Sequence, residues 1–132
     1  MSNYSATSLS NWFRVKDVAA FIEAMTKIEV QVFNNKHGEP DQVSMYAVTD
    51  HGTWPYSVWD DDAEDSVDVD ILAIIAEHLV EGSVATLIEV GHEGVRYAGG
   101  IALAVNSAGE TRKIDLNDIS TLGKELGTEV LY

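Results

Sequence analysis

Two long runs of alternating apolar residues, SVATLIEV and VRYAGGIALAVN, flank the four residues GHEG. Period-two alternation sends successive side chains to opposite faces of a strand, and a short Gly-containing link makes two such runs antiparallel neighbours. A sheet built on this hairpin needs a second layer over its apolar face. The second run is asymmetric. Val95, Tyr97, Ile101, Leu103 and Val105 share one face, while Ala98, Gly100, Ala102 and Ala104 share the other. A face of Ala and Gly admits close backbone approach, and a helix of the same chain is expected against it. Gly99 and Gly100 read as a bulge or a point of close packing.

The rest of the chain supplies more strands and the covering helices. NWFRV is a short strand-like run. Val18, Phe21, Ile22, Met25 and Ile28 fall at helical spacing, and Asp17 suits the positive end of the dipole, which predicts a helix over 17–27. EVQVFN and QVSMYAVT alternate around NNKHGEPD and read as a hairpin. VDVDILAIIAEHLVEG predicts a deeply buried helix capped by Asp68 or Asp70 and stopped at Gly82. TRKIDL is a strand with Ile114 and Leu116 inward. NDISTLGKELG is a short helix capped by Asn117. TEVLY is a strand or a tail. With 132 residues, one domain is expected, burying roughly two thirds of its unfolded surface. The expectation is an α+β fold: a single two-layer domain, mainly antiparallel sheet with about three helices. Residues 1–10 are expected to be a flexible lead-in, 11–132 the domain, and about 50–68 a long acidic loop.

Charge is distributed unevenly. The formal net charge is −14, from 22 acids against 8 lysines and arginines. Between Lys36 and Arg96 there is no lysine or arginine, and that window holds 14 of the acids. The remaining 8 acids balance the 8 bases, so the whole net charge comes from one central segment. Adaptation to high salt would spread acids over the entire surface instead. A block of this kind repels nucleic acid and anionic membrane and attracts basic surfaces. No apolar run is long enough to span a bilayer. The start of the chain has neither a basic nor an apolar signal-peptide region. A cytoplasmic location is expected.

Catalytic signatures are missing. There is no cysteine, which removes disulfides, thiolate nucleophiles and cysteine metal sites. His37, His51, His78 and His92 have no metal-binding spacing, and no HExxH, GxSxG, GxGxxG or Walker loop occurs. An EF-hand loop started at Asp60 places Asp65 at the glycine position and Ile71 at the glutamate position, so both diagnostic positions fail. No enzyme activity, cofactor or regular metal site is expected. A small metal-binding protein or metal-dependent enzyme stays as an alternative, through irregular divalent binding.

The acidic stretch carries the functional reading. In GTWPYSVWDDDAEDSVDVD, seven carboxylates fall within the eleven residues 60–70. If extended, Asp60, Asp62 and Glu64 lie on one side at intervals of ~6.6 Å, the same scale as phosphates along a nucleic-acid strand. Asp60, Asp61, Asp62, Glu64, Asp65, Asp68 and Asp70 then supply charge for a basic partner, and Trp54, Tyr56 and Trp59 supply anchoring area. A solvated acidic loop with its aromatics turned onto the core is the bland alternative.

The segments NWFRVKD, WPYSVWDDDAED, LAIIAEHL and RYAGGIALAVNSAGE make the chain resemble small acidic proteins carried on phages and plasmids. More generally it is similar to anti-restriction and anti-CRISPR proteins. The resemblance implies an inhibitor of a host defence nuclease or nucleic-acid-binding complex in the cytoplasm of a bacterial host. DNA mimicry through the acidic segment is one mode of inhibition. An immunity protein against a basic nuclease toxin uses the same physics. The partner expected is a basic nucleic-acid-binding protein or nuclease complex, with no direct nucleic-acid or membrane contact, and the chain acts as a monomer or homodimer.

Overall fold

The computed structural model describes residues 4–34, 38–94 and 97–127. It is a single α+β domain with three helices and a mostly antiparallel main sheet. Along the chain run β1 (Ser5–Ser10), β2 (Phe13–Arg14), α1 (Val18–Thr26), β3 (Val30–Asn34) and β4 (Gln42–Ala47). A small hairpin follows, β5 (Ser57–Asp60) and β6 (Asp65–Asp68), then α2 (Ile71–His78). The long hairpin β7 (Val84–Glu93) and β8 (Tyr97–Asn106) leads to β9 (Thr111–Asp115), a 3-10 turn (Leu116–Asp118) and α3 (Ile119–Lys124). The predicted strand or tail over 128–132 lies outside the described residues.

Within the expected lead-in, Ser5–Ser10 form instead a central strand. β1 lies between β4 and β7, pairing Leu9 with Tyr46 and running from Ser5–His92 to Ser10–Leu87. Its sequence, SATSLS, has one large apolar residue and little strand propensity. Its place comes from pairing on both edges. β2 continues the β4 ladder with its register moved by one residue (Phe13 opposite Val43), so residues between β1 and β2 form a bulge. Side chains replace the interrupted ladder. Ser10 Oγ accepts from Met45 N–H (2.9 Å), Asn11 Oδ1 accepts from Thr86 N–H (2.8 Å), and Asn11 Nδ2 donates to Val84 O (2.9 Å).

The sheet has two unlike faces. On the inner face Val30, Val32, Val43, Met45, Ala85, Leu87 and Val105 share one core with Phe21 and Met25 of α1, Ile71 and Ile75 of α2, and Leu79 just after it. Phe13 and Phe21 meet edge-on at 5.7 Å. Asp17 caps α1 through Ala20 N–H, and Asp70 caps α2 through Ala73 N–H, both at 3.1 Å. α2 ends at His78, well before Gly82, because Leu79 is already extended and bridges Val15. The last helical segment is capped by Asp115, which accepts from Asn117 N–H (2.8 Å). Asn117, the expected cap, lies inside the 3-10 turn.

The outer face is open. The register places Tyr46, Leu9, Ile88, Ala102 and Ile114 side by side across five strands. Ile114 and Leu116, expected inward, are both on this side and exposed. The Ala/Gly face of β8 is here too. Among the described residues no helix covers Gly100: the side chain of Leu116 does, and a Cβ at Gly100 would stand 3.1 Å from it. β8 pairs with β7 without a bulge at Gly99–Gly100, so close packing is the reason for these glycines.

Candidate functional site

The segment expected to be a loop over 50–68 contains an antiparallel hairpin. Ser57, Val58, Trp59 and Asp60 pair with Asp68, Val67, Ser66 and Asp65. Val58 packs on the core and Val67 is its cross-strand partner. Residues 61–64 form the turn, with Glu64 at φ +53. Asp60 organises that turn: its Oδ1 accepts from Asp62 N–H (2.9 Å) and Ala63 N–H (3.4 Å), the local bonding that suits Asp to turns. The straight row of Asp60, Asp62 and Glu64 is therefore corrected. The chain folds back, and the carboxylates gather at a compact tip.

The three aromatics divide between two roles. Trp54 is 7% exposed and belongs to the core, so it offers no contact area to a partner. Its backbone N–H donates to Glu89 Oε1 (2.9 Å) and its Nε1 donates to Ile88 O (3.3 Å), which pins the base of the hairpin to β7. Pro55 beside it is also buried. Trp59 and Tyr56 are 63% and 77% exposed. Trp59 Nε1 donates to Asp61 Oδ1 (2.9 Å), which holds the indole beside the acidic tip.

The carboxylates divide as well. Asp70 is the α2 cap and serves the fold. Asp60, Asp61, Asp62, Glu64, Asp65 and Asp68 belong to the hairpin, and all but the half-buried Asp60 are exposed. Asp60 and Asp65 face each other across the strands, an arrangement of like charges that costs stability. The ion pairs among the described residues are Arg14 with Glu39 and Asp41, and Lys27 with Glu23, so no hairpin carboxylate is paired there. Lys27 lines the same shallow hollow as Trp59 and Asp60, but its ammonium lies 3.6 Å from Glu23.

Glu89 is a supporting residue that sequence reasoning missed. Its Oε1 serves Trp54 and its Oε2 accepts from the Tyr4 hydroxyl (3.3 Å). Burial, then the Glu89 carboxylate, raises the Tyr4 pKa above its usual 10. The available signal was parity: Glu89 is in phase with Ala85 and Leu87, the inward residues of β7. Gly91 belongs to the same arrangement, since a Cβ there would meet the Tyr4 hydroxyl at 2.2 Å. Among the described residues, no three His, Asp or Glu side chains form a group able to hold a metal ion. No described helix is long and apolar enough to cross a membrane.

The site thus joins an anchored base to an acidic, aromatic-flanked tip. No family model, curated protein or solved structure matches the chain.

Proposed function

We propose that this protein is a binding inhibitor whose acidic hairpin occupies a basic nucleic-acid-binding surface, such as that of a defence nuclease complex. One observation carries the reading. Six carboxylates and two exposed aromatics share a hairpin whose charges have no ion-pair partner among the described residues. A like-charge pair across two strands is a local cost that a merely solvated hairpin has no need of, and such conflicts concentrate at functional sites. Lys and Arg of a basic groove relieve that repulsion and form charge-assisted hydrogen bonds. Trp59 and Tyr56 supply the desolvated area that holds the complex once steering has brought the partners together. The mimicry is of the charge density of a nucleic-acid backbone, presented at a tip.

The test is a surface titration against basic nucleases: a CRISPR effector, a restriction endonuclease and a nuclease toxin domain. The comparison variant carries Asp60, Asp61, Asp62, Asp65 and Asp68 changed to Asn and Glu64 to Gln, with Asp70 kept as a cap. Tight binding to one partner should weaken steeply with salt. The variant should associate about a hundredfold more slowly at low salt, within the roughly 10- to 1,000-fold that steering adds to an on-rate. Equal binding by both proteins would overturn the role given to the hairpin, and a toxin domain as the sole partner would make the protein an immunity factor.

A further inference from the structure

We propose that the outer face of the main sheet receives the α3 helix of a second copy of this chain, forming a symmetric dimer by reciprocal exchange. This surface is separate from the acidic hairpin, which is anchored through inward-facing Glu89 and the inward-packed Val58.

Two exposed apolar surfaces exist in one chain. The first is the outer sheet face. Leu9, Ile88, Val90, Ile114 and Leu116 are all at least 41% exposed, and the last four border a shallow apolar groove of about 280 Å³ floored by Gly100 and Ala102. In a chain of net charge −14, the outward-facing positions of β3, β4, β1, β7, β8 and β9 carry no Asp or Glu among the described residues. A face kept free of carboxylates in so acidic a protein fits an apolar occupant without charge repulsion. The second surface is α3 and its last turn. Ile119, Leu122 and Leu126 lie at i, i+3 and i+7, one stripe of a helix, and Leu126 is 92% exposed. Among the described residues nothing buries that stripe.

The helix is held away from its own groove. Asp115 accepts from Asn117 N–H while Asp118 Oδ2 accepts from Asp115 N–H (3.3 Å), a reciprocal cap that fixes the direction in which α3 leaves β9. Leu116 already sits over Gly100 at the groove's own end. Folding α3 back would break both caps and displace Leu116. A second copy meets neither obstacle. Eight exposed aliphatic residues per copy, five on the face and three on the stripe, would enter the contact and contribute to the ~800 Å² that each partner gives to a standard interface. Helix-on-sheet exchange about a two-fold axis uses both surfaces twice and leaves none over.

The chain has no cysteine, so engineered ones report position without interference. Chains carrying Leu122→Cys are mixed with chains carrying Ala102→Cys and mildly oxidised, alongside light-scattering mass measurements on the wild type. The expected results are a dimeric wild-type mass and a disulfide joining the two different variants. Ile114→Asp should yield a monomer with unchanged circular dichroism, its dimer affinity reduced about a hundredfold by an unpaired carboxylate at an apolar contact. A wild type that stays monomeric at every concentration overturns the proposal. So does a chain carrying both cysteines that closes its disulfide within itself while monomeric, because the helix then covers its own sheet.

Discussion

The acidic hairpin and the outer sheet face are opposite solutions to surface chemistry in one small domain. The hairpin concentrates charge at a tip and ties its base down with a buried tryptophan. The sheet face excludes carboxylates and leaves aliphatic side chains in water. Charge of one sign works at a distance and favours fast encounter with an oppositely charged partner. Apolar area works only at contact and favours long residence. The comparison teaches that the net charge of −14 is a local property. It describes the segment between Lys36 and Arg96 and says nothing of the sheet's outer face.

The sharpest way to break the comparison is to truncate two tryptophans, Trp54 at the base of the hairpin and Trp59 near its tip. Trp54→Ala should lower stability by about 3–5 kcal/mol in denaturant unfolding, the usual cost of emptying a buried aromatic site. Trp59→Ala should shift stability by less than ~0.5 kcal/mol while weakening partner binding. Similar losses for both would mean the tip is part of the core. Next in size is Gly52→Ala. Gly52 has φ +79, and its Cβ would fall 1.9 Å from Ala6 O. Its carbonyl accepts from Ser8 Oγ, at the joint between β1 and the segment leading to the hairpin. A loss of about 2 kcal/mol or more is expected in the same unfolding assay.

A smaller effect has the opposite sign. Asp65→Thr removes the charge facing Asp60 and adds a β-branched residue, so stability should rise by ~0.5 kcal/mol while salt-sensitive binding falls. A stability loss there would show that the pair is not repulsive. The smallest effect is read from pH. The folded Tyr4 has its pKa raised, so its contribution is complete below the unfolded value of about 10 and is lost as pH climbs through the folded value. Melting temperature should fall more steeply above pH 10 for the wild type than for Tyr4→Phe. Parallel curves would remove Tyr4 from the account.

Periodicity made the covering helices and the long hairpin legible, because each buries one stripe or one face. The Ile, Leu and Val positions of 71–79 and the alternation of 84–90 state their own burial. β1 was illegible because SATSLS has no alternation to read: its strand state is imposed by β4 and β7. Ile114 and Leu116 were misplaced for a related reason. Alternation tells which residues share a face, not which face meets the core. At the site, charge and aromatic content were visible in the sequence. The turn at 61–64 was hidden, since Asp-rich segments carry weak strand propensity and Glu64 occupies a left-handed conformation that its residue type does not announce. The split between Trp54 and Trp59 depends on Glu89, 35 residues beyond Trp54, and no local pattern reports that pairing.

The central position of β1 also sets a timetable for biosynthesis. Its partners on β7 follow it by roughly 80 residues, which at ribosomal rates takes on the order of 4–16 s. Until then the strand leaves the ribosome with one ladder edge unfilled, and the sheet cannot be assembled by adding strands in the order they emerge. A run of serine, alanine and threonine is well suited to that wait. It is too polar to recruit a neighbouring nascent chain, and it becomes a strand only when both of its edges are offered partners.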